Sequence, residues 1–188
     1  MKAVLISIQA KWCNLIASGK KTVEVRKIKP KIDLPFKCYI YETQGRTETP
    51  FVDEEGHYIF EGRGKVIGEF VCDQIKEITA DSLVAIYFNN PQESTCLNDL
   101  EMRKYADGKN LFLWHISNLV IYDKPKELSE FTRFCEGVDG TIGCRGCRYY
   151  SGKHEECLVG NSAPLKRPPQ SWCYVEESRE KNIGKDLK

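Results

Sequence analysis

The sequence predicts an α+β protein: a small mixed β-barrel with two or three helices, followed by a cysteine-rich C-terminal module. Three observations carry this expectation. Short β-patterned stretches punctuated by Gly and Pro recur through the first two-thirds of the chain. Between them, helical spacing is sparse, which suits a sheet protein with few helices. Finally, five of the nine cysteines (Cys135, Cys144, Cys147, Cys157 and Cys173) crowd into the last third.

At 188 residues the chain accommodates one ordinary domain and a small appendage. The expected division is a domain over 1–128, a cysteine-rich module over 129–177 and a charged tail over 178–188. A composition of 41% hydrophobic and 29% charged residues fits a globular chain. No run approaches the ~18 apolar residues that a membrane span requires. The N-terminal apolar run, Ala3 to Ile6, is too soon interrupted for a secretory signal. The expected location is therefore the cytoplasm, with no membrane partner.

In chain order, Ala3 to Ile8 reads as a buried first strand. Trp12, Leu15 and Ile16, at i, i+3 and i+4, form one helical face, and Gly19 suits the left-handed residue that ends a helix. Thr22 to Arg26 then alternates strictly, Val23 and Val25 on one side, Thr22, Glu24 and Arg26 on the other. Lys29-Pro30 and Leu34-Pro35 mark a connection, and Phe36 to Tyr41 returns to the β pattern. Phe51-Val52 and Tyr58-Ile59-Phe60 flank Asp53-Glu54-Glu55-Gly56 as a hairpin. Val66 to Cys72 is a strand in which Gly64 and Gly68 mark bends or close backbone approach. Residues 74–90 are expected to connect through a helix. Ser94 or Thr95 is expected to cap a second helix, with Leu97, Leu100 and Met102 inward and Gly108 closing it. Leu111 to Tyr122 reads as one long strand, ended by Lys124-Pro125.

The stretch Ser18-Gly19-Lys20-Lys21-Thr22-Val23-Glu24-Val25-Arg26 has a further property. Following a short helix and an apolar strand, it resembles the signature of the ASCH domain family, over about the first two-thirds of the chain. The ending Arg167-Pro168-Pro169-Gln170-Ser171-Trp172-Cys173-Tyr174 resembles that of bacterial and phage-encoded members with a cysteine-rich tail. The resemblance implies a PUA-like β-barrel and an association with RNA. It also implies a ligand cleft beside the signature strand, with Lys21, Glu24 and Arg26 at the matching positions. Some small members act as amidohydrolases on N4-acetylcytidine, using a lysine, a threonine and a downstream glutamate. Lys21 matches that lysine, but Glu24 stands where the threonine belongs, and Thr22 or the guesses Glu69 and Glu77 are insecure substitutes. Ribonuclease activity is a further property of the wider family.

Charge is unevenly spread. Residues 1–41 hold nine Lys/Arg against two acidic residues, and residues 42–129 hold nine against sixteen. Lys20, Lys21, Arg26, Lys27, Lys29 and Lys31 form the basic pole, which suits phosphate binding or else merely a solvated face carrying an ion pair. The candidate ligand residues are Lys20, Lys21, Thr22, Glu24, Arg26 and Tyr41, with Trp12, Tyr39 and Trp114 as further stacking candidates. In an enzyme, Lys21 and Glu24 would be the catalytic pair. His115 is a lone histidine, more often structural than catalytic.

Cys144-Arg145-Gly146-Cys147 is a CxxC knuckle, with Cys157 and Cys173 following as single cysteines. Four thiolates suit a tetrahedral structural zinc, Cys135 or His154 being substitutes. A segment poor in large apolar residues would draw folding energy from the metal. Redox activity and unliganded thiols are the competing readings. The cysteines at 13, 38, 72 and 96 read as core filler. Function is accordingly expected to be RNA binding in a basic cleft, the alternative being hydrolysis of a modified nucleoside or of RNA there. The tail offers a surface for a protein partner.

Overall fold

The computed structural model describes residues 1–45, 51–52, 58–59, 63–79, 94–134 and 164–177. The elements are β1 (Lys2–Gln9), α1 (Ala10–Ala17), β2 (Val23–Arg26), β3 (Phe36–Thr43), β4 (Phe51–Val52), β5 (Tyr58–Ile59), β6 (Val66–Cys72), β7 (Ile75–Ile78), α2 (Asp99–Ala106), β8 (Leu111–His115), β9 (Ser117–Lys126) and β10 (Trp172–Glu176), with a 3₁₀ turn at Leu128–Glu130. Five strands form one sheet in the order β10-β1-β3-β6-β9, and three form another in the order β2-β8-β7. The expected hairpin is present as a separate two-stranded sheet, with Phe51 opposite Ile59.

The mixed α+β class holds, but the expected closed barrel does not: among the described residues the two larger sheets remain open. The reason lies in the expected single strand over Leu111–Tyr122, which breaks at Ile116. β8 pairs with β2 and β7, whereas β9 crosses to the edge of the larger sheet and pairs with β6. Asn118, with φ 47°, takes up the turn after the break. Pro125 is tolerated inside β9 because an edge strand has one side without a ladder.

β1 is apolar on both faces because it lies inside the sheet, parallel to β3 and antiparallel to β10. On one face Val4, Ile6, Cys38, Ile40 and Phe70 pack with Ile16 of α1 and Trp114 of β8, forming the core between the two sheets. On the other face Ala3, Leu5, Tyr39 and Tyr41 are covered by Phe131 and Leu165. Val23 and Val25 meet Met102 and Ala106 of α2 in a third cluster behind the smaller sheet. Burying a side chain of this size contributes roughly 1.5–3 kcal/mol.

Strict alternation in β6 would place Val66 with Phe70, yet Val66 joins the second core and Ile67 the first. A bulge causes this, since Ile40 and Tyr41 of β3 oppose Gly68 and Val66 and leave Ile67 extra. The close-approach reading of Gly68 holds: a Cβ there would collide with the Val120 carbonyl.

Further local expectations differ in the structure. Residues 75–78 form a strand, not part of a helix, because Ile75 and Ile78 pair along β8. α2 is capped by Asn98 rather than Ser94 or Thr95, in a capping box with Glu101, while the Ser94 carbonyl accepts from Thr22 and Val23. Leu100 is exposed, leaving Met102 and Ala106 as the inward face. Segment 172–176, placed by the sequence reading in the cysteine-rich module, is hydrogen-bonded into the main sheet. Trp172 anchors it there, its ring centroid 6.2 Å from that of Trp114.

Candidate functional site

The alternation of β2 has a consequence for charge. With Val23 and Val25 turned toward α2, Glu24 and Arg26 face the gap between the smaller sheet and the junction of β1 with α1. Gly19, at φ 73°, ends α1 in the left-handed conformation, and the Lys21 amide donates to the Leu15 carbonyl at 2.8 Å. This turn brings the Lys21 side chain alongside Glu24.

The three charged residues form one buried network. Glu24 Oε1 lies 3.0 Å from Arg26 Nη2, and its Oε2 lies 3.5 Å from Lys21 Nζ. Lys21 Nζ also donates to the Thr95 carbonyl at 2.7 Å and lies 5.3 Å from the centroid of the Trp12 ring. Arg26 Nη2 donates to the Ser7 carbonyl at 2.7 Å, and Nη1 reaches Ser171 Oγ at 3.4 Å. Relative exposures are 3% for Lys21, 6% for Glu24 and 8% for Arg26. A solvated strand face is therefore overturned. Burial costs several kcal/mol per ion, and one carboxylate sits between two cations, so the network carries a formal excess of one positive charge. Burial holds the Lys21 amine below its ordinary range, with Glu24 partly offsetting this. Arg26 Nε is buried with no hydrogen-bond partner among the described residues.

The network floors a cleft of about 390 Å³, within the roughly 300–1,000 Å³ typical of small-ligand sites. Trp12 of α1 and Tyr105 of α2 supply aromatic walls, and Gln9, Thr43 and Gln170 contribute polar groups. Gln170 comes from the C-terminal segment, which is fixed there by two bonds from Ser7: its Oγ donates to the Pro169 carbonyl and its amide to that of Ser171.

Of the six candidate ligand residues, the structure brings Lys21, Glu24 and Arg26 together. Lys20 is exposed beside them, outside the cleft lining. Thr22 also lies off the lining, and its Oγ1 accepts from the Ser94 amide at 2.9 Å. Tyr41 is in the second core, where burial raises its phenol, and Tyr39 and Trp114 are fully buried. Glu69 bonds Lys37 and Tyr122, and Glu77 accepts from Asn110, so neither guessed glutamate reaches the cleft. His115 Nδ1 pairs with Asp73 at 2.7 Å, away from the lining. Tyr105, Gln9 and Gln170 were missed. Tyr105 had a signal of its own, as a large aromatic three residues beyond inward-facing Met102.

Cys144, Cys147 and Cys157, with the substitutes Cys135 and His154, lie outside the described residues. Cys173 lies in β10, packed in the second core, where burial raises its thiol. Among the described residues no group of three or more His, Cys, Asp or Glu side chains could hold a metal ion. Nor is any described helix long and apolar enough to cross a membrane.

No family model and no curated protein matches the sequence. Among solved structures, a serine-to-alanine variant of ZmASCH from Zymomonas mobilis is similar, with a TM-score of 0.54 at 19% identity over 93% of this chain and 89% of that one. ASCH from Zymomonas mobilis has a TM-score of 0.48 at 24% identity over 67% and 73% of the two chains. The first likeness shows that the chain has the ASCH fold.

Proposed function

We propose that this protein binds single-stranded RNA in the cytoplasm by seating one nucleobase in the cleft above Lys21, Glu24 and Arg26. The observation that carries the reading is the buried network itself, a costly set of charges with a positive excess and an unused guanidinium N–H at the base of an aromatic-walled cleft. Single-stranded RNA is read by stacking splayed bases on aromatic rings and hydrogen-bonding their edges. Trp12 and Tyr105 suit the first task. Arg26 and Lys21 would donate to carbonyl or phosphate oxygens, while Gln9 and Gln170 carry both donors and acceptors. The resemblance to the ASCH family adds its association with RNA.

Crosslinking cellular RNA to the protein tests this. Wild type should recover a defined RNA, and Lys21→Ala and Arg26→Ala should each reduce recovery at least tenfold. Equal recovery by all three proteins overturns the reading.

A second reading, hydrolysis of a modified nucleoside or of RNA, is favoured by one observation: a buried lysine with a lowered pKa is a candidate base. Against it, Glu24 holds the position of the expected hydroxyl and Thr22 is bonded to Ser94. Product release from N4-acetylcytidine or a short RNA, lost in Lys21→Ala, would establish it.

For the cysteine-rich segment we propose a structural zinc on Cys144, Cys147, Cys157 and Cys173. Its spacing supports this, as does the pinning of the flanking residues beside β10 by Thr132–Pro164 and Arg133–Val175 bridges. Cys173, raised by burial among apolar side chains, is the weakest of the four donors, and Cys135 is its substitute. Protein purified under reducing conditions should carry about one zinc per chain by elemental analysis, as four thiolates around one ion require. Its absence removes the proposal.

A further inference from the structure

We infer that the cleft continues into a second nucleotide subsite formed by Lys27, Lys29, Tyr105 and Phe112, so that the ligand is a stretch of RNA strand and not a free nucleoside. The inference rests on the reading that the cleft seats a nucleobase and asks where the rest of the strand would run.

Several observations point the same way. Lys27 directly follows Arg26, and Arg26 is paired in register with Phe112 of β8. Lys27 Nζ lies 5.2 Å from the centroid of the Tyr105 ring, and Lys29 Nζ lies 5.4 Å from that of Phe112. Tyr105 lines the cleft as well, so it belongs to both sites. The patch is therefore continuous with the buried network.

Its composition differs from that of a solvated charge face. Tyr105 is 39% exposed, and Ile28, between the two lysines, is 64% exposed. Apolar surface thus lies open among cations, the arrangement on which bases stack while phosphates are neutralised. Neither lysine has a carboxylate partner among the described residues. On the adjoining elements β2, β7 and α2, the acidic side chains are already engaged: Glu24 by Lys21 and Arg26, Glu77 by Asn110, Asp99 by Arg103, and Glu101 by the Asn98 cap. Cations without counter-carboxylates are the ones whose counterions are released when phosphate binds. A free nucleoside has no phosphodiester to offer them.

The test uses the full-length chain and a fluorescent random-sequence RNA decamer, with affinity followed against salt. The Lys27→Ala/Lys29→Ala variant should bind at least tenfold more weakly than wild type. Its log–log salt slope should be shallower by about 1.4, since each phosphate contact on a single strand contributes about 0.7. A Lys124→Ala/Lys166→Ala control removes two charges elsewhere on the surface. If the track variant loses no more affinity than this control, while Lys21→Ala and Arg26→Ala abolish binding, the second subsite is overturned and the cleft reading stands. If the track variant loses binding but the cleft variants do not, the cleft reading fails instead. If wild type does not bind the decamer, both are overturned.

Discussion

Lys21 and Lys37 are both strand-associated lysines paired with a glutamate, yet their surroundings drive them in opposite directions. Lys37 Nζ lies 2.9 Å from Glu69 Oε1 on the face of the main sheet, its side chain 25% exposed, and the Tyr122 hydroxyl donates to Glu69 Oε2 at 2.5 Å. Burial is the largest single influence there and opposes its charge, but the Glu69 hydrogen bond and the charges of Glu69 and its other anionic neighbours together outweigh it, so Lys37 is held above its ordinary range. Lys21, with a side chain 2% exposed, shares its glutamate with Arg26, and burial wins. The Lys37–Glu69–Tyr122 group pairs neighbouring strands at little cost. The Lys21–Glu24–Arg26 group, buried and with two cations to one carboxylate, is a poor device for stability.

The largest effect expected from breaking this contrast is that of Glu24→Gln. Two buried cations would lose their shared counter-charge, and denaturant unfolding should show a loss of about 3–5 kcal/mol. The corresponding change on the sheet, Glu69→Gln, should cost no more than ~1 kcal/mol because water screens Lys37. Equal losses at the two sites would remove the distinction between them.

The next effect concerns pH. The folded-state pKa of Lys21 lies below its ordinary value of 10.5, so between the two the unfolded chain holds more protons and the contribution of Lys21 to stability rises with pH. Lys37 lies above 10.5 when folded, so its contribution is present below that value and lost as pH rises through the folded pKa. Urea unfolding from about pH 8 to 11 should therefore fall more steeply at the alkaline end in Lys21→Met and less steeply in Lys37→Met than in wild type. Slopes changing in the same direction would contradict the assignment.

The smallest effect is at the sheet hydroxyl. Tyr122→Phe removes one donor to Glu69, and a loss of about 0.5 kcal/mol is expected. Burial raises the Glu69 carboxyl, but the bonds from Tyr122 and Lys37 outweigh this and hold it below its ordinary range. Its contribution is present above the ordinary carboxylate pKa and lost as pH falls through the lower, folded value. Tyr122→Phe should therefore flatten the acid limb of the stability profile as well.

Local features were legible in the sequence where local chemistry decides them. The end of α1 at Gly19, the two faces of β2 and the β4–β5 hairpin all follow from spacing and turn residues. What escaped depends on contacts between distant segments. Ile116 does not announce that the chain changes sheets, and the bulge at Ile67 depends on the register of β3 against β6. The cap at Asn98 was legible as Asn-x-x-Glu but was passed over for Ser94 and Thr95. At the site, Lys21, Glu24 and Arg26 could be picked out as one strand face, whereas their depth could not, since burial comes from α1, α2 and the segment around residue 170. For the same reason Tyr41 looked free and is enclosed, and Gln170 was invisible as a cleft residue until its segment was seen to lie against Ser7.

The pairing of β10 with β1 bears on how the protein is made. During translation β1 emerges long before residues 172–176, which cover its outer edge. Until then an apolar ribbon, Ala3 to Ile8, keeps one open flank on the nascent chain, the kind of surface that chaperones shield and aggregates recruit. A message cut short before residue 170 would yield a product lacking Gln170, Ser171 and the cover over β1. The cleft is thus complete only once the segment around residue 170 has been made.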